Sequence, residues 1–372
     1  MAADTKIVRL KDYIVECDER NTEGRYGIDD VMGMTITKEI IPTKANVGET
    51  DLSKFLVVHP NEFVYNPRTH GKKIGLGINN TSKPFLISWN NTAFRVKDDN
   101  VLDPQYLYMY LCRNEWDREA CFRSWGSSTE VFSWDEFGLM RVPLPSIETQ
   151  RKLVTAYNGL KNLAEQNEAL IEPLSAACNA AIVDCKQIYN RIKLGKLISD
   201  YDMVNRDKAL KGVRSISVFK EFRETNAKVN KNELSGYKIV PSNYIAYVQT
   251  TKNEKCFANA WNTSNEPYVV SSVDKVISSN DENVLLNGYL HIYFRQEEFD
   301  RYAIFNSWGS AREVFTYDEL CNVEIPLPPL SVQQSIVNLY NCFESAKQIA
   351  SEAREQLKTI CPALIQMARH TA

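Results

Sequence analysis

The stretch "SWGSSTEVFSWDEFGLMRVPLP" at 124–145 returns as "SWGSAREVFTYDELCNVEIPLP" at 307–328. Both copies lie inside a longer match between 104–154 and 287–337, which needs no gap and holds 22 identities in 51 positions. Chance similarity does not produce this, so one unit has been duplicated within the chain. The copies repeat at a constant offset of 183 residues, from 124 to 307.

The N-terminal portion of the repeat has diverged much further. Here "DLSKFLVVHPNEFVYNP" at 51–67 has only a weak echo in "ELSGYKIVPSNYIAYVQ" at 233–249. Divergence confined to one portion of a duplicated unit suggests that this portion contacts a different ligand or partner in each copy. Two domains are therefore expected, which a chain of 372 residues can supply.

Each unit closes with a β-rich stretch, a proline-rich junction and a long helical pattern. Prolines cannot continue a strand ladder, so the strand ends at the junction. Ser331 with Gln334 predicts a capping box, and Ser146 with Glu148 predicts the start of the other helix. Apolar residues then recur at alternating steps of three and four, which is typical of a coiled-coil seam. The predicted seam comprises Leu153, Tyr157, Leu160, Ala164, Asn167, Ile171, Leu174, Leu339, Phe343, Leu357, Ile360 and Leu364.

These patterns predict an α+β fold. Two globular domains in tandem repeat are separated by two long helices, which pack as an antiparallel coiled coil with pseudo-twofold symmetry. A parallel pair remains an alternative, because a whole domain could supply the return connection. A helix of roughly 40 residues spans about 60 Å. The predicted segments are a first domain at 1–146, a first helix at 147–192, a second domain at 193–330 and a second helix at 331–372.

Composition excludes several classes of protein. Hydrophobic residues make up 44% and charged residues 24% of the chain, as in ordinary globular proteins. The N-terminal stretch has no apolar core for a signal peptide, and no run of about 18 apolar residues predicts a membrane span. The nine cysteines form no CxxC pair and no zinc-type spacing. We therefore expect a cytoplasmic protein with reduced thiols, no metal and no membrane partner.

Positive charge is concentrated in the diverged portion of each unit. Residues 63–97 carry six Lys or Arg and no acidic residue. Residues 205–260 hold eleven basic and five acidic residues, whereas 266–330 hold four and eleven. Lys and Arg contact phosphates, while Arg, Asn and Gln can contact base edges. An ordinary solvated loop is the alternative. The candidate DNA-binding residues are Arg68, Thr69, Lys72, Lys73, Asn79, Asn80, Lys252, Asn253, Lys255, Asn259, Asn262 and Arg312.

Catalytic motifs do not emerge from the sequence. "LDPQYLYMY" at 102–110 is similar to the DPPY motif of amino-methyltransferases, but Gln105 breaks the proline pair. Asp103 as helix N-cap with Pro104 at the first helical position explains the stretch better. "SWGSS" and "SWGSA" are not nucleophile elbows; they predict a tight turn, with DNA-facing hydroxyls and Arg312 as the alternative. No catalytic residue and no cofactor are predicted for this chain.

The whole chain resembles the specificity (S) subunits of type I restriction-modification enzymes. The resemblance is carried by two variable units, each closed by "VPLPSIETQRKLV" or "IPLPPLSVQQSIVNLY" and a long helix. It implies two target recognition domains, each for one half of a split double-stranded DNA target, held apart by helices that set the spacing. It places a DNA-facing loop at "NPRTHGKKIG", so Arg68, Lys72 and Lys73 are implied contacts.

The resemblance also implies where catalysis resides. Two methylation (M) subunits would bind this chain, and motor-nuclease (R) subunits would complete the restriction enzyme. S-adenosylmethionine and ATP are then expected only on those partner subunits. Two alternatives remain open: the specificity component of a related type II system, and a non-catalytic scaffold that holds two protein partners apart.

Overall fold

The computed structural model describes residues 5–69, 73–126, 129–225, 230, 233–250, 256–310 and 312–370, with the backbone alone for 358–370. The chain divides into two units. The first contains residues 1–165 and 350–372, and the second contains 166–349. Each unit therefore combines one globular region with part of each long helix.

Among its described residues, the first unit has ten strands and the helices α1 to α3, followed by the long helix α4 (Ile147–Ile188), which continues into the second unit. The strands are short, and short 3₁₀ turns separate several of them. The strands are β1 (Lys6–Arg9), β2 (Ile14–Cys17), β3 (Met32–Met34), β4 (Ile40–Pro42), β5 (Leu56–Val58), β6 (Phe63–Tyr65), β7 (Leu76–Ile78), β8 (Phe85–Ile87), β9 (Thr92–Val96) and β10 (Arg141–Leu144), and the helices are α1 (Pro104–Leu111), α2 (Asn114–Phe122) and α3 (Trp134–Leu139).

The second unit repeats this order. Its long helix α8 (Leu330–His370) follows the last strand, as α4 follows β10. The strands are β11 (Arg191–Lys193), β12 (Ile198–Asp200), β13 (Arg214–Ile216), β14 (Phe222–Glu224), β15 (Lys238–Val240), β16 (Ile245–Tyr247), β17 (Asn259–Trp261), β18 (Tyr268–Val270), β19 (Lys275–Ser279) and β20 (Glu324–Pro326), and the helices are α5 (Asn287–Phe294), α6 (Glu297–Phe305) and α7 (Tyr317–Asn322).

Strand pairing is the same in both units. A four-stranded antiparallel sheet has the order β2-β9-β6-β7 in the first unit and β12-β19-β16-β17 in the second. Three two-stranded ribbons accompany each sheet: β1-β10, β3-β4 and β5-β8, matched by β11-β20, β13-β14 and β15-β18. The duplication thus covers the diverged N-terminal portion as well, in agreement with the weak echo between 51–67 and 233–249.

Aromatic side chains fill the core of each globular region. In the first, Phe63 stacks on Phe94 with ring centroids 4.7 Å apart, and Phe137 lies 4.9 Å from Phe94. In the second, Phe257 contacts Phe299 at 5.0 Å and Phe315 at 5.6 Å. All six side chains are less than 5% exposed, so burial of aromatic surface stabilises each unit independently.

The starts of the two long helices agree only in part with the predicted caps. Ser146 precedes α4, and its hydroxyl accepts a hydrogen bond from the Thr149 amide at 3.3 Å. The capping box predicted at Ser331 is wrong. Helix α8 begins one residue earlier, and the amides of Val332 and Gln333 donate to the carbonyl of Pro329. Ser331 therefore lies inside the first turn, and its carbonyl accepts from the Ser335 hydroxyl.

One glutamine joins each long helix to its globular region. The fully buried Gln150 accepts from the Asp103 amide at 2.9 Å and donates to the carbonyls of Val101 and Pro145, both at 2.9 Å. Gln333 makes the same three bonds, to the Leu286 amide and the carbonyls of Val284 and Pro328. Buried backbone polar groups need hydrogen-bond partners. The side chain of this glutamine supplies them both for the loop that precedes α1 or α5 and for the junction before the long helix. This arrangement explains physically the "PLP…Q" pattern at both junctions.

The predicted seam residues lie on the less exposed face of the helices. Ala164 and Phe343 are buried, and the other seam residues whose side chains are described are half-buried. Leu153 and Tyr157 pack against the core of the first globular region, and Leu339 packs against that of the second. Ile360 and Leu364 fall outside the residues whose side chains are described. Within the part of the chain that the structure describes, neither α4 nor α8 is apolar enough over its length to cross a membrane.

Candidate nucleic-acid interface

The first basic segment, residues 68–73, begins on a small ribbon. Arg68 forms an antiparallel bridge with Val131, and the Phe132 amide donates to the Pro67 carbonyl at 2.7 Å. The Thr69 amide donates to the Glu130 carbonyl at 3.2 Å. The side chain of Arg68 is exposed. Backbone bonds therefore fix where the segment starts and leave its first cation facing solvent.

The residue that follows this segment is held by a buried carboxylate. The Ile74 amide donates to Oδ1 of Asp117 at 3.3 Å, and the same oxygen accepts from Nζ of Lys38 at 2.7 Å. Lys38 also donates to the Leu111 carbonyl at 2.8 Å. Asp117 lies on α2, and Lys38 lies in the turn between β3 and β4. One carboxylate thus joins a helix, a hairpin turn and the end of the basic segment.

The Lys38–Asp117 pair is removed from water. The two side chains are 4% and 6% exposed, and Nζ of Lys38 lies 4.6 Å from the ring centroid of Trp116. Burial lowers the pKa of the Lys38 amine, while the hydrogen bond and charge of Asp117 oppose that change. A charge in such a site needs a partner. Lys38 also has a positive φ of 67°, which is uncommon outside glycine and asparagine.

The second unit contains the same arrangement. Nζ of Lys220 donates to Oδ1 of Asp300 and to the Phe294 carbonyl, both at 2.7 Å, and the Phe257 amide donates to the same carboxylate oxygen at 2.8 Å. Lys220 lies in the β13–β14 turn with a φ of 64°. Burial lowers its pKa as well, against the opposing effect of Asp300.

The second basic segment, residues 250–255, also begins on an equivalent ribbon. Thr250 bridges Val314, and the Phe315 amide donates to the Gln249 carbonyl at 2.8 Å. Each basic segment therefore lies in the chain between two equivalent contacts: a bridge to the ribbon at its start and a helix carboxylate just after its end. The segments themselves differ in sequence.

The two "SWGS" motifs lie directly beside the basic segments. Trp125 exchanges two backbone bonds with Val131, at 3.1 and 2.9 Å, and Trp308 does so with Val314, at 3.2 and 3.0 Å. Gly126 has a φ of 151°, and a Cβ there would lie 2.0 Å from the Thr129 carbonyl oxygen. This close approach agrees with the tight-turn interpretation, although residues 127–128 lie outside the described part of the chain. Because Val131 also bridges Arg68, the turn and the basic segment share one ribbon. The sequence alone did not bring these motifs together.

Three amide side chains predicted to face DNA are buried instead. Asn79 and Asn262 are 1% and 0% exposed and occupy equivalent turns. Asn79 donates to the carbonyls of Val58 and Lys83, both at 2.9 Å, and its oxygen accepts from the Thr81 amide at 2.9 Å. Asn262 makes matching bonds at its turn. Their role as base contacts is corrected, because their polar atoms are already used to close these turns.

Asn259 belongs to a buried polar network. It is fully buried, donates to the Phe257 carbonyl at 3.0 Å, and pairs through Oδ1 with Nδ1 of His291 at 2.8 Å. Tyr340 on α8 approaches Nε2 of the same ring at 3.4 Å. Burial holds the pKa of His291 well below its ordinary value, and the charges of Arg295 and Lys220 act in the same direction. Asn259 is therefore a core residue, and its assignment to the DNA surface is also corrected.

The remaining candidates divide into two groups. Arg68, Lys73, Asn80 and Arg312 are exposed, and Thr69 is half-buried with its hydroxyl 3.3 Å from Oε2 of Glu130. Nε2 of Gln105 donates to the Asn80 side chain at 2.6 Å. Lys72, Lys252, Asn253 and Lys255 lie outside the described residues. Contact with DNA stays a prediction for both groups.

Sequence reasoning missed the two buried lysines. Each is a lone lysine in a diverged segment, where a solvated side chain is the ordinary expectation. The available signal was the pair "ITKEI" at 36–40 and "VFKEF" at 218–222, in which Lys-Glu recurs between apolar residues. Among the residues whose side chains are described, no cluster of three His, Cys, Asp or Glu has a geometry suited to a metal ion.

Comparison with solved structures gives matches over nearly the whole chain. The S subunit of the type I restriction-modification system from M. genitalium aligns with a TM-score of 0.59 and 10% identity, over 98% of this chain and 96% of that one. This chain has the fold of a type I specificity subunit.

Two further structures match over similar lengths. The HsdS subunit from Thermoanaerobacter tengcongensis gives a TM-score of 0.42 at 16% identity, over 98% of this chain and 96% of that one. A chain from a structure addressing assembly and conformational transition of the type I R-M system gives 0.37 at 15%, over 98% and 97%. The fold assignment rests on the first comparison. No protein-family model and no curated protein sequence matches the chain.

Proposed function

We propose that this chain is the DNA-recognition subunit of a type I restriction-modification system, with each globular region recognising one half of a bipartite target. The observation that carries the proposal is the pair of basic segments. The two segments differ in sequence. In each unit, however, the segment begins at an equivalent ribbon, and a residue just after it donates to an equivalent carboxylate, Asp117 or Asp300. A duplicated frame that presents different cationic segments suits recognition of two different DNA sequences.

The chemistry is assigned to partner subunits. Two methylation subunits would bind S-adenosylmethionine and modify the DNA, and motor-nuclease subunits would use ATP for restriction. This chain would supply target choice and positioning, with no catalytic residue of its own. The exposed side of α4 would bind the methylation subunits; there Lys161 is half-buried, Glu165, Glu168 and Glu172 are exposed, and Lys161 pairs with Glu165 at 3.8 Å.

The long helices would act as an antiparallel coiled-coil ruler related by a pseudo-twofold axis. Support comes from the lengths of α4 and α8, 42 and 41 residues, and from the apolar heptad face on each. Two linked recognition domains bind cooperatively only where the half-sites have the matching separation. Helix length would thus determine the spacer, and the basic segments would determine the bases recognised.

A triple substitution tests DNA recognition. We expect Arg68→Ala with Lys72→Ala and Lys73→Ala to abolish sequence-specific binding of the assembled methyltransferase through the first half-site. Loss of three phosphate contacts would also reduce the slope of log affinity against log salt by about 2.7. The matched control is Lys6→Ala with Lys44→Ala and Lys54→Ala, which removes the same charge from exposed positions in the same unit. Unchanged affinity of the first variant across a salt series would instead favour the protein scaffold.

An insertion tests the ruler. Seven residues, one heptad, added within α4 lengthen the helix by about 10 Å, or about three base-pair steps at 3.4 Å each. We expect methylome sequencing to show a longer non-specific spacer between unaltered half-sites. An unchanged spacer would rule out the helices as its determinant. Motifs recovered as two half-sites would also separate this function from a scaffold that binds no DNA.

A further inference from the structure

Each unit exposes two large aromatic side chains at equivalent positions. Phe122 and Trp125 are 83% and 73% exposed, and Phe305 and Trp308 are 82% and 67% exposed. We call these pairs the first and second aromatic faces. Scattered apolar residues are normal on a protein surface, but two large exposed aromatics three residues apart, repeated in both copies, point to an interaction site.

The aromatic faces are rigidly supported. Phe122 is the last residue of α2, and the next turn is closed by the Ser124 hydroxyl, which donates to the Ala120 carbonyl at 2.8 Å. Ser307 makes the same bond to Ala303 at 2.6 Å. A positive φ at Gly126 and Gly309 then directs the chain into the ribbon. An interface residue presented on a fixed backbone loses little conformational freedom on binding.

The charge around the aromatic faces disfavours nucleic acid. Arg123 lies between Phe122 and Trp125 in sequence, and it pairs with Glu119 at 3.1 Å and Glu136 at 3.3 Å. In the second unit the neutral Asn306 stands at the position of Arg123, and Glu319 stands at the position of Glu136. Residues 296–319 hold six acidic and two basic side chains. One of the two basic side chains is the DNA candidate Arg312, and the net negative charge of the rest favours a protein with an apolar pocket bordered by Lys or Arg.

The positions that are identical in the two units indicate the kind of partner. The basic segments differ, as expected where different bases are contacted, but the aromatic faces are identical at Phe, Trp and Gly. We infer that each aromatic face docks one copy of the same protein partner. This inference rests on the proposed function, in which the partner is the methylation subunit, and the aromatic face would be a second contact of that subunit besides the exposed side of α4. Its docking site shares a ribbon with the basic segment, which is where an enzyme that modifies a base in the recognised sequence must be held.

The test measures assembly without DNA. The full chain is mixed with the methylation subunit of its system, and stoichiometry is read by native mass spectrometry. We expect two partner copies on the unaltered chain and one on Phe122→Ala with Trp125→Ala, or on Phe305→Ala with Trp308→Ala. Buried aromatic hot spots predict a weakening of about 30-fold or more at the altered face. The matched control is Trp89→Ala, an exposed tryptophan at 60% whose equivalent position holds Ser272.

Different outcomes separate the possible failures. Double variants that melt like the Trp89→Ala control and still take up two partner copies with unaltered affinity overturn the inference and leave the proposed function intact. Loss of DNA affinity of the isolated chain, measured by fluorescence anisotropy, with assembly unchanged assigns the faces to nucleic acid and overturns it too. An unaltered chain that takes up no methylation subunit overturns both proposals.

Discussion

Lys38 in the first unit and Lys220 in the second make equivalent contacts within segments that have few residues in common. Each reaches from a hairpin turn to a helix carboxylate that also holds the end of a basic segment. Backbone geometry and buried charge have thus been retained where surface sequence has changed. The buried contacts that support a basic segment and the sequence of that segment can therefore vary separately.

The two units differ at two positions near the buried lysine. The first has Leu76 and Tyr108 where the second has Asn259 and His291. Tyr108 donates to the Lys38 carbonyl, whereas His291 pairs with Asn259. The second unit therefore contains a buried polar network, and the equivalent positions of the first are a leucine and a tyrosine.

The largest expected effect comes from removing one buried cation. Lys38→Met leaves the Asp117 carboxylate buried without its charge partner, and we expect a loss of about 3–5 kcal/mol of unfolding free energy. Lys220→Met should act similarly in the second unit. Chemical denaturation measures both, with Lys152→Ala as control because the Lys152–Glu148 pair is exposed. A loss for Lys220→Met, with Lys38→Met as stable as the control, would show that the two lysines are not equivalent structural elements.

A smaller loss is expected at the glycine turns. Gly126→Ala places a Cβ 2.0 Å from a carbonyl oxygen at a φ of 151°, and Gly309→Ala does so at a φ of 141°. Strain of this kind costs about 1–3 kcal/mol, which should appear as a lower denaturation midpoint for both variants. If only one variant is destabilised, the equivalence of the two turns is broken.

Protonation should distinguish the second unit from the first. The folded chain keeps His291 neutral, whereas the unfolded chain takes up a proton below about pH 6.5. Unfolding therefore binds a proton there, and stability should fall by up to about 1.4 kcal/mol per pH unit as the pH drops from 6.5 towards 5. His291→Gln should reduce this slope, while His59→Gln, at an exposed histidine, should retain it. An identical slope in all three proteins would contradict the assignment.

The smallest expected effect is a gain in stability from replacing a glycine inside a helix. Gly159 in α4 corresponds to Cys342 in α8, and a Cβ there would meet nothing within 4 Å. Glycine inside a helix is less favourable than alanine by about 0.5–1 kcal/mol, so Gly159→Ala should raise the denaturation midpoint. A decrease would indicate that this position of α4 has a packing role that its counterpart lacks.

Much of the architecture follows from the sequence, because the repeat and the heptads are periodic signals. They predicted two similar units and two long helices, and Asp103 caps α1 as expected, accepting from the Tyr106 amide at 3.0 Å. The shared topology of the diverged strands was hidden, since short strands of three residues carry little periodicity. The roles of Asn79, Asn259 and Asn262 were misassigned, because an amide that closes a turn and one that contacts a base look alike in sequence.

The paired supports around each basic segment have an evolutionary consequence. An exchange of the stretch between Thr69 and Ile74 for another of suitable length would keep the Arg68–Val131 bridge and the bond from the Ile74 amide to Asp117. Under the proposed function, recombination of a few codons would then change the DNA target and leave the rest of the domain unaltered. The same exchange between the two units of this chain would be the simplest graft to attempt.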